Sequence, residues 1–275
     1  MKILEIAKSA ATQDGDGVKI SRVADFRGKV LDPFLMIDEL KSDDRADYIG
    51  GFPPHPHRGI ETFTYIIKGG FEHQDQMGNK EVIGAGDVQW MSTGFGVVHS
   101  EMPVADAEGM HGFQIWVNMA AKDKLRPARY QDSTKTGLPE IGADGATLKA
   151  LAGEWSMAGE TVISPLSELS ANARIADVTL LAGKSAQLDQ SDYDQAFVYV
   201  HTGKVNGVEA GHLILIDPSE PLHIKADMNS GVLVFSASRL REPVAHLGPF
   251  VMNTEEELRQ AVRDYQSGKF GSIKG

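Results

Sequence analysis

Two short clusters in the first half of the chain combine side chains that bind metal ions. His55 and His57 are two residues apart, and so are His99 and Glu101. In a β-strand, residues i and i+2 point to the same face, and Pro56 disfavours a helix at the first cluster. Two such strands facing one another in a small barrel could aim three imidazoles and one carboxylate at one point. We therefore predict a metal site formed by these two pairs; the alternative is that both pairs are incidental.

The predicted donor set, three nitrogens and one oxygen, suits a divalent transition metal. It accepts iron, manganese, nickel, cobalt, copper or zinc, so the spacing does not identify the ion. One or two coordination positions would stay open for water, substrate or O₂, whereas a structural site is usually closed. The chain has no cysteine, which excludes thiolate metal sites, iron–sulfur clusters and disulfides.

Other residues near these clusters could belong to the same site. His73 and Asp75 form a further i, i+2 pair that could line a pocket or lie on an exposed strand face. Arg58 could form a salt bridge within its domain or meet an anionic ligand. Large apolar side chains could form pocket walls or simply fill the core, namely Phe52, Phe63, Trp90, Met91 and Trp116.

Short strand-like segments separated by Gly, Pro and Asp turns must position these residues. Such a pattern predicts an all-β sandwich or barrel. The segments are 63–67, 97–99, 113–117, 177–181, 196–200, 213–216 and 231–235. One helix is predicted near the C-terminus, with Thr254 as its N-cap, Glu257 closing a capping box and Gly268 ending it.

A polar, turn-rich segment from 122 to 145 divides the 275-residue chain near its middle. We predict two similar β domains, 1–131 with the metal site and 132–275 without one. The histidines of the second half have no ligand-type partner at i, i+2, so we interpret them as surface or core residues. They are His201, His212, His223 and His246.

The charge balance excludes several classes of protein. The formal net charge is −11, from 27 Lys and Arg against 38 Asp and Glu. Nucleic-acid binding needs basic patches, so we expect no direct contact with nucleic acid. No apolar run approaches the ~20 residues of a membrane span, and the N-terminus lacks the long apolar core of a secretion signal. We expect a cytoplasmic protein that does not contact membranes.

The longest motifs resemble the pirin family of the cupin superfamily. They are HPHRGIETFTYIIKGG from residue 55, GAGDVQWMSTGFGVVHSEMP from 84, HGFQIWVN from 111 and EPVAHLGPFVMNTEEEL from 242. The resemblance implies a bicupin fold of two tandem β-barrel (jelly-roll) domains and a short C-terminal helix. It implies one metal ion, commonly Fe²⁺, on His55, His57, His99 and Glu101. Glu61, at the position of the glutamate ligand in many other cupins, is then interpreted as a pocket residue or one that orients an imidazole.

Several pirin-like proteins are associated with quercetin 2,3-dioxygenase activity. The resemblance therefore implies an enzyme that cleaves a quercetin-type flavonol with O₂ and releases carbon monoxide, with Glu101 accepting the proton of the substrate hydroxyl. Eukaryotic pirins, described as iron-dependent cofactors of transcription regulators, imply an alternative. In that case the protein is a redox-sensing regulator that binds an enzyme or a transcription regulator. A third hypothesis is a cupin acting on another small enolisable metabolite.

Overall fold

Strands form most of the regular structure in the computed structural model, which describes residues 1–26, 31–104 and 108–273. Up to residue 132 they are β1 (Ile3–Lys8), β2 (Ala10–Asp14), β3 (Val18–Ala24), β4 (Phe34–Ser42), β5 (Phe52–His57), β6 (Ile60–Lys68), β7 (Gly70–Asp75), β8 (Lys80–Gly84), β9 (Val88–Ser92), β10 (Val97–Pro103), β11 (Met110–Asn118) and β12 (Arg129–Asp132).

The later strands are generally shorter and are followed by a helix. They are β13 (Glu140–Ala143), β14 (Ala146–Ala152), β15 (Glu154–Met157), β16 (Glu160–Ile163), β17 (Arg174–Leu180), β18 (Ser185–Leu188), β19 (Gln195–Thr202), β20 (Lys204–Val205), β21 (Val208–Glu209), β22 (His212–Ile216), β23 (Leu222–Lys225), β24 (Ser230–Ala237), β25 (Ala245–Leu247) and β26 (Phe250–Met252). Helix α1 is Glu255–Gln266, and 3₁₀ turns cover Arg45–Asp47, Ala121–Asp123 and Ser170–Asn172.

The first of two compact units, which we call the site unit, comprises the described residues of Ala11–Arg27, Phe34–Lys135 and Leu240–Gly275. It contains a seven-stranded sheet, β12-β9-β6-β11-β4-β3-β2, and a four-stranded sheet, β5-β10-β7-β8. Apolar side chains from both sheets, such as Ile66 and Phe71, share one buried cluster. The two sheets therefore enclose a common core, as in a β-barrel of the jelly-roll type.

The other unit, the companion unit, comprises the described residues of Met1–Ala10, Gly28–Pro33 and Thr136–Arg239. Its seven-stranded sheet has the order β1-β22-β19-β24-β17-β14-β13, and shorter ladders join β15 to β16, β18 to β23 and β20 to β21. Buried side chains such as Trp155 and Val198 form its core. Each strand segment predicted from the sequence overlaps a strand in one of the two units, and the all-β architecture is confirmed.

The predicted C-terminal helix is also confirmed. Thr254 Oγ1 accepts from the backbone N–H of Glu257 at 3.3 Å, and the Glu257 carboxylate accepts from the backbone N–H of Thr254 at 2.9 Å. This reciprocal capping box begins the helix, and Gly268 follows its end with a φ of +77°. Within the described ranges, no helix has the length and apolarity needed to cross a membrane.

Each end of the chain folds into the unit that is formed mainly by the other half of the sequence. Strand β1 pairs with β22, so the N-terminal residues complete an edge of the companion unit. The segment after residue 240 folds within the site unit. The chain passes from the site unit to the companion unit after Lys135, close to the predicted junction. The domain limits 1–131 and 132–275 stay a prediction.

Candidate metal centre

The two predicted ligand pairs lie on neighbouring strands of the four-stranded sheet. β5 and β10 are antiparallel, with His55 opposite His99 and His57 opposite Val97. A register shift between His99 and Glu101 marks an irregularity in β10. The prediction that the two strands face one another is wrong, because they are hydrogen-bonded side by side. Directly opposed residues of paired strands project to the same face about 5 Å apart, which brings the rings together.

The imidazoles of His55, His57 and His99 form a compact cluster. The ring centroids are 4.4 Å apart for His55 and His99, 4.8 Å for His55 and His57, and 5.0 Å for His57 and His99. One nitrogen from each ring lies within 4.8 Å of the others. These three side chains could therefore hold a metal ion together.

The free nitrogens of this cluster fit a metal ion. Nε2 of His57 and both ring nitrogens of His99 are buried without a hydrogen-bond partner among the described residues. Nδ1 of His57 lies 3.3 Å from the Pro249 carbonyl oxygen, and Nδ1 of His55 lies 2.8 Å from that of Pro53. A carbonyl only accepts, so each of these Nδ1 atoms carries the proton and each Nε2 lone pair is free. Since an unpartnered buried polar atom costs about 1–3 kcal/mol, an ion bound here would remove that penalty.

Glu101 is buried and held by two side chains of the other sheet. Thr64 Oγ1 donates to Glu101 Oε1 at 2.9 Å, and Gln114 Nε2 donates to Oε2 at 3.2 Å. These contacts fix the orientation of the carboxylate. Sequence reasoning missed Thr64 and Gln114, because each stands on a different strand from Glu101 and belongs to no local motif.

A second group of potential ligands shares one histidine with the first. His73, His99 and Glu101 have ligand atoms within 4.8 Å of one another. His73 Nε2 lies 3.2 Å from Asp75 Oδ2 and Nδ1 lies 3.0 Å from Gln89 Nε2, so both nitrogens of this ring are already engaged. His73 and Asp75 are buried, which excludes the exposed strand face. The four-ligand set that joins Glu101 to the three-histidine cluster stays a prediction.

Burial controls the protonation of the cluster. It lowers the pKa of both His57 and His99 well below the usual 6.5, and the neighbouring His55 lowers them further. A neutral imidazole is the form that binds a metal. Protons therefore compete weakly with an ion for these two rings.

We expect the metal-free protein to lose stability as the pH falls below 6.5. In this window the unfolded chain binds protons at His57 and His99 and the folded chain does not, so acid favours unfolding. The free energy of unfolding should fall by up to about 1.4 kcal/mol per pH unit for each ring. Urea denaturation at a series of pH values measures this slope. His99→Gln should show a shallower slope, and equal slopes for the two proteins would contradict the prediction.

A cavity of about 550 Å³ opens on the histidine cluster. Its wall includes His55, His57, Phe52 and Trp116, and the Trp116 ring lies 5.0 Å from that of His57. Phe52 and Trp116 therefore are wall residues, as predicted. The other candidates are buried in the protein core and do not line this cavity, namely Phe63, Trp90 and Met91.

The chain after residue 240 supplies wall residues that the sequence did not indicate. His246 stacks on Phe26 with ring centroids 3.8 Å apart and an interplanar angle of 8°, and both line the cavity. Pro249 also lines it, and its carbonyl faces His57. His246, which the sequence placed in a separate second domain, thus lies in the site unit.

Arg58 forms the salt bridge that was predicted as one of its two roles. Its Nη1 and Nη2 both donate to Asp264 Oδ2 at 3.0 Å, and its Nε donates to the Phe95 carbonyl oxygen. The guanidinium carbon lies 4.3 Å from the Phe95 ring centroid and 4.8 Å from that of Phe270. Helix α1 is thereby tied to the residue that follows His57.

Glu61 has a different partner from the one that the resemblance implied. It is fully buried and accepts a hydrogen bond from Arg126 Nη2 at 3.3 Å. The ring nitrogens of His57 and His99 either face a backbone carbonyl or have no partner in the described structure, so Glu61 orients neither ring.

Two β units, one of which carries an imidazole cluster beside a cavity, define the class of protein as a two-domain cupin. The profile of the family described as Pirin matches residues 17–117, and that of the Pirin C-terminal cupin domain matches residues 175–271. The chain belongs to the pirin family, so the resemblance and the bicupin fold are confirmed.

Curated relatives align over nearly the whole chain. A Vibrio cholerae protein, provisionally named as a quercetin 2,3-dioxygenase, is 42% identical over 98% of this chain and 97% of its own. The human protein named Pirin is 32% identical over 96% of this chain and 91% of its own. Both alignments therefore cover more than nine-tenths of the relative's own length.

Solved structures share the fold. A quercetin 2,3-dioxygenase from Acinetobacter baumannii superposes with a TM-score of 0.85 at 30% identity, over 99% of each chain. A bacterial pirin from Escherichia coli, solved in complex with nickel(II), has a TM-score of 0.63 at 22% identity, over 86% of this chain and 99% of that one. The second likeness is one of fold alone.

Proposed function

We propose that this protein is a metal-dependent dioxygenase that cleaves a quercetin-type flavonol with O₂. The observation that carries this proposal is the cluster of free imidazole nitrogens of His57 and His99 beside an aromatic-walled cavity of about 550 Å³. Such a volume is usual for a small-molecule site. The names of the Vibrio relative and of the Acinetobacter structure support the substrate class.

Four side chains would hold one Fe²⁺ ion: His55, His57, His99 and Glu101. The ion would supply Lewis acidity and redox capacity at the reacting end of the substrate. Burial lowers the pKa of His57 and His99 and so holds these two imidazoles in their neutral, metal-binding form.

Glu101 would also accept the proton of the substrate hydroxyl. A general base must be held within hydrogen-bond reach of that proton, and the bonds from Thr64 and Gln114 restrict where the carboxylate can point. Phe52 and Trp116 would contact the faces of the flavonol rings and exclude water from them.

We expect protein reconstituted anaerobically with Fe²⁺ to consume O₂ when quercetin is added, with loss of flavonol absorbance and release of carbon monoxide. The Glu101→Gln variant should lose at least about 100-fold in rate, the usual contribution of a general base. Asp144→Asn, which changes an exposed acid of the companion unit, is the matched control and should retain the wild-type rate.

The regulatory alternative gives a different result in the same assay. One equivalent of bound metal with no O₂ uptake above that of free Fe²⁺ would exclude quercetin cleavage and favour a binding role. Partner capture with the ferrous, ferric and metal-free forms would then test redox sensing. O₂ uptake with other enolisable compounds but not with flavonols would support the third hypothesis.

A further inference from the structure

The Glu101 carboxylate lies behind the wall of the large cavity. The residue is 4% exposed, and it lines a small void of about 10 Å³ instead of the cavity of about 550 Å³. A void of that size holds about one water molecule at most. A substrate in the cavity therefore reaches Glu101 only if a side chain of the intervening wall moves.

Gln114 is the polar member of that intervening wall. Three described residues line both the cavity and the small void, namely Leu40, Phe52 and Gln114. Leu40 and Phe52 are apolar, whereas Gln114 Nε2 donates to Glu101 Oε2 at 3.2 Å. The Gln114 side chain is half-buried, so it meets both the cavity and the carboxylate. It therefore lies where a substrate would first approach the proposed base.

The hydrogen bonds around Gln114 leave one acceptor without a donor. Thr64 Oγ1 lies 2.6 Å from Gln114 Oε1 and 2.9 Å from Glu101 Oε1. A hydroxyl has one proton, and both of these oxygens only accept when Glu101 is ionised, which is the form that binds a metal. If Thr64 donates to Glu101, then Gln114 Oε1 faces a lone pair of the hydroxyl.

Turning the Gln114 amide over does not remove the conflict. Nε2 could then donate to Thr64, but Oε1 would take its place 3.2 Å from Glu101 Oε2, and two acceptors would face each other. Each orientation of the amide thus has one unfavourable oxygen–oxygen contact, which weakens the hold of Gln114 on the ionised carboxylate. A hydroxyl group in place of the amide would remove this contact, because an O–H donates to Glu101.

We propose that Gln114 is a substrate-binding residue whose amide leaves Glu101 when the substrate hydroxyl takes its place there. Glu101 Oε2 then accepts from that hydroxyl, and Gln114 Nε2 donates to a neighbouring oxygen of the substrate, such as a carbonyl. The cavity therefore favours compounds with a hydroxyl next to a carbonyl, as a flavonol has. The inference rests on the proposed function for Glu101 as ligand and base.

Two dissociation constants measured on the Gln114→Met variant test this role. Methionine keeps the length of the side chain and removes the amide. Flavonol binding to the Fe²⁺-loaded protein is measured without O₂ by tryptophan fluorescence, since Trp116 lines the cavity and the other two tryptophans are buried. We expect the flavonol to bind about fivefold to tenfold more weakly, because the amide is poorly held in the free protein and its bond to the substrate is lost.

The metal should bind the same variant almost as tightly as it binds the wild type. Thr64 still donates to Glu101, so the dissociation constant of Fe²⁺ should stay within about threefold. If Gln114 only supports the ligand Glu101, metal affinity should instead fall by about 10–100-fold, with flavonol affinity unchanged at saturating metal. That result would overturn the inference.

Two controls match this variant. Gln187→Met makes the same change at an exposed position of the companion unit, and it should leave both constants at their wild-type values. Flavone has the carbonyl but no neighbouring hydroxyl, so it cannot replace the amide on Glu101. Gln114→Met should therefore leave the affinity for flavone unchanged, and a loss as large as that for the flavonol would contradict the proposed exchange.

A smaller compound separates this inference from the proposed function. Maltol carries the adjacent hydroxyl and carbonyl of a flavonol on a single ring. If the wild type binds maltol but no flavonol, and Gln114→Met weakens maltol binding, the role of Gln114 stands and flavonol cleavage is excluded. O₂ uptake with quercetin, together with equal flavonol affinity in wild type and variant, would leave the proposed function standing and exclude this inference. Failure of the wild type to bind either compound would contradict both.

Discussion

His57→Ala is expected to abolish stoichiometric metal binding. Its Nε2 is buried, free of other partners and beside the rings of His55 and His99, so no other atom replaces it. The loss of affinity should exceed the roughly 10–100-fold that follows removal of a residue that only supports a ligand. Elemental analysis after anaerobic reconstitution and dialysis, with a competition titration for the dissociation constant, measures the effect.

His73→Ala separates the two groups of potential ligands. Both nitrogens of His73 are engaged, by Asp75 and Gln89, so this variant should keep one equivalent of metal. His223→Ala, on an exposed position of the companion unit, controls for the loss of a histidine as such. If His73→Ala loses the metal and His57→Ala retains it, the ion belongs to the group of His73, His99 and Glu101 instead.

Asp264→Ala is expected to lower the free energy of unfolding by about 3–5 kcal/mol, since it leaves a buried guanidinium without its counter-charge. Arg58 and Asp264 are 1% and 4% exposed. Hydrogen bonds from Lys269, Gln260 and Arg58 lower the pKa of Asp264 to about 2, so the carboxylate is ionised at neutral pH. Chemical denaturation measures the loss. Because Arg58 follows His57 in the chain, the variant should also weaken metal binding.

A second acidic residue of the same helix provides the matched control. Glu255 pairs with Arg259 at 3.1 Å, but both side chains are exposed to solvent. Glu255→Ala should therefore cost less than about 1 kcal/mol and leave metal binding unchanged. A similar loss of stability in the two variants would show that burial of the Arg58 pair does not determine its contribution.

Gly59 explains why the chain after residue 240 can approach the end of β5 so closely. A Cβ at this position would lie 2.0 Å from the Val251 carbonyl oxygen, and the residue has a φ of +80°. Val251 donates its backbone N–H to the Arg58 carbonyl oxygen at 3.1 Å. Lys124, which is buried, donates to the Gly59 and Val251 carbonyl oxygens at 2.7 and 3.0 Å. The segment is thus joined to the residues that directly follow the ligand pair.

The local features of the fold could be predicted from the sequence. Strand positions follow from runs of β-branched and aromatic residues, and the capping box of Thr254 and Glu257 requires only residues three apart. The i, i+2 spacing likewise placed His55 and His57 on one face of a strand. Each of these predictions depends on backbone geometry within a few residues, which the sequence specifies directly.

The partners of the site residues could not be predicted in this way. Thr64 reaches Glu101 across 37 positions of the chain, and the Pro249 carbonyl reaches His57 across 192. The order of strands in the sheets and their register create these contacts, and neither follows from local propensity. The same holds for Arg22, which shares the cavity wall with Asp38 and Gln114 because β3 pairs with β4 and β4 with β11.

By itself the sequence determined the all-β class and the position of the helix, and it predicted a set of metal ligands, because residue type and short-range spacing are enough for these inferences. Only the tertiary structure decided that β5 and β10 are neighbours in one sheet and that the chain after residue 240 closes one wall of the cavity. It also placed Asp14, Asp25 and Asp38 in the wall of that cavity. Such features arise from pairing between distant segments, whose free energy depends on the packing of the whole unit.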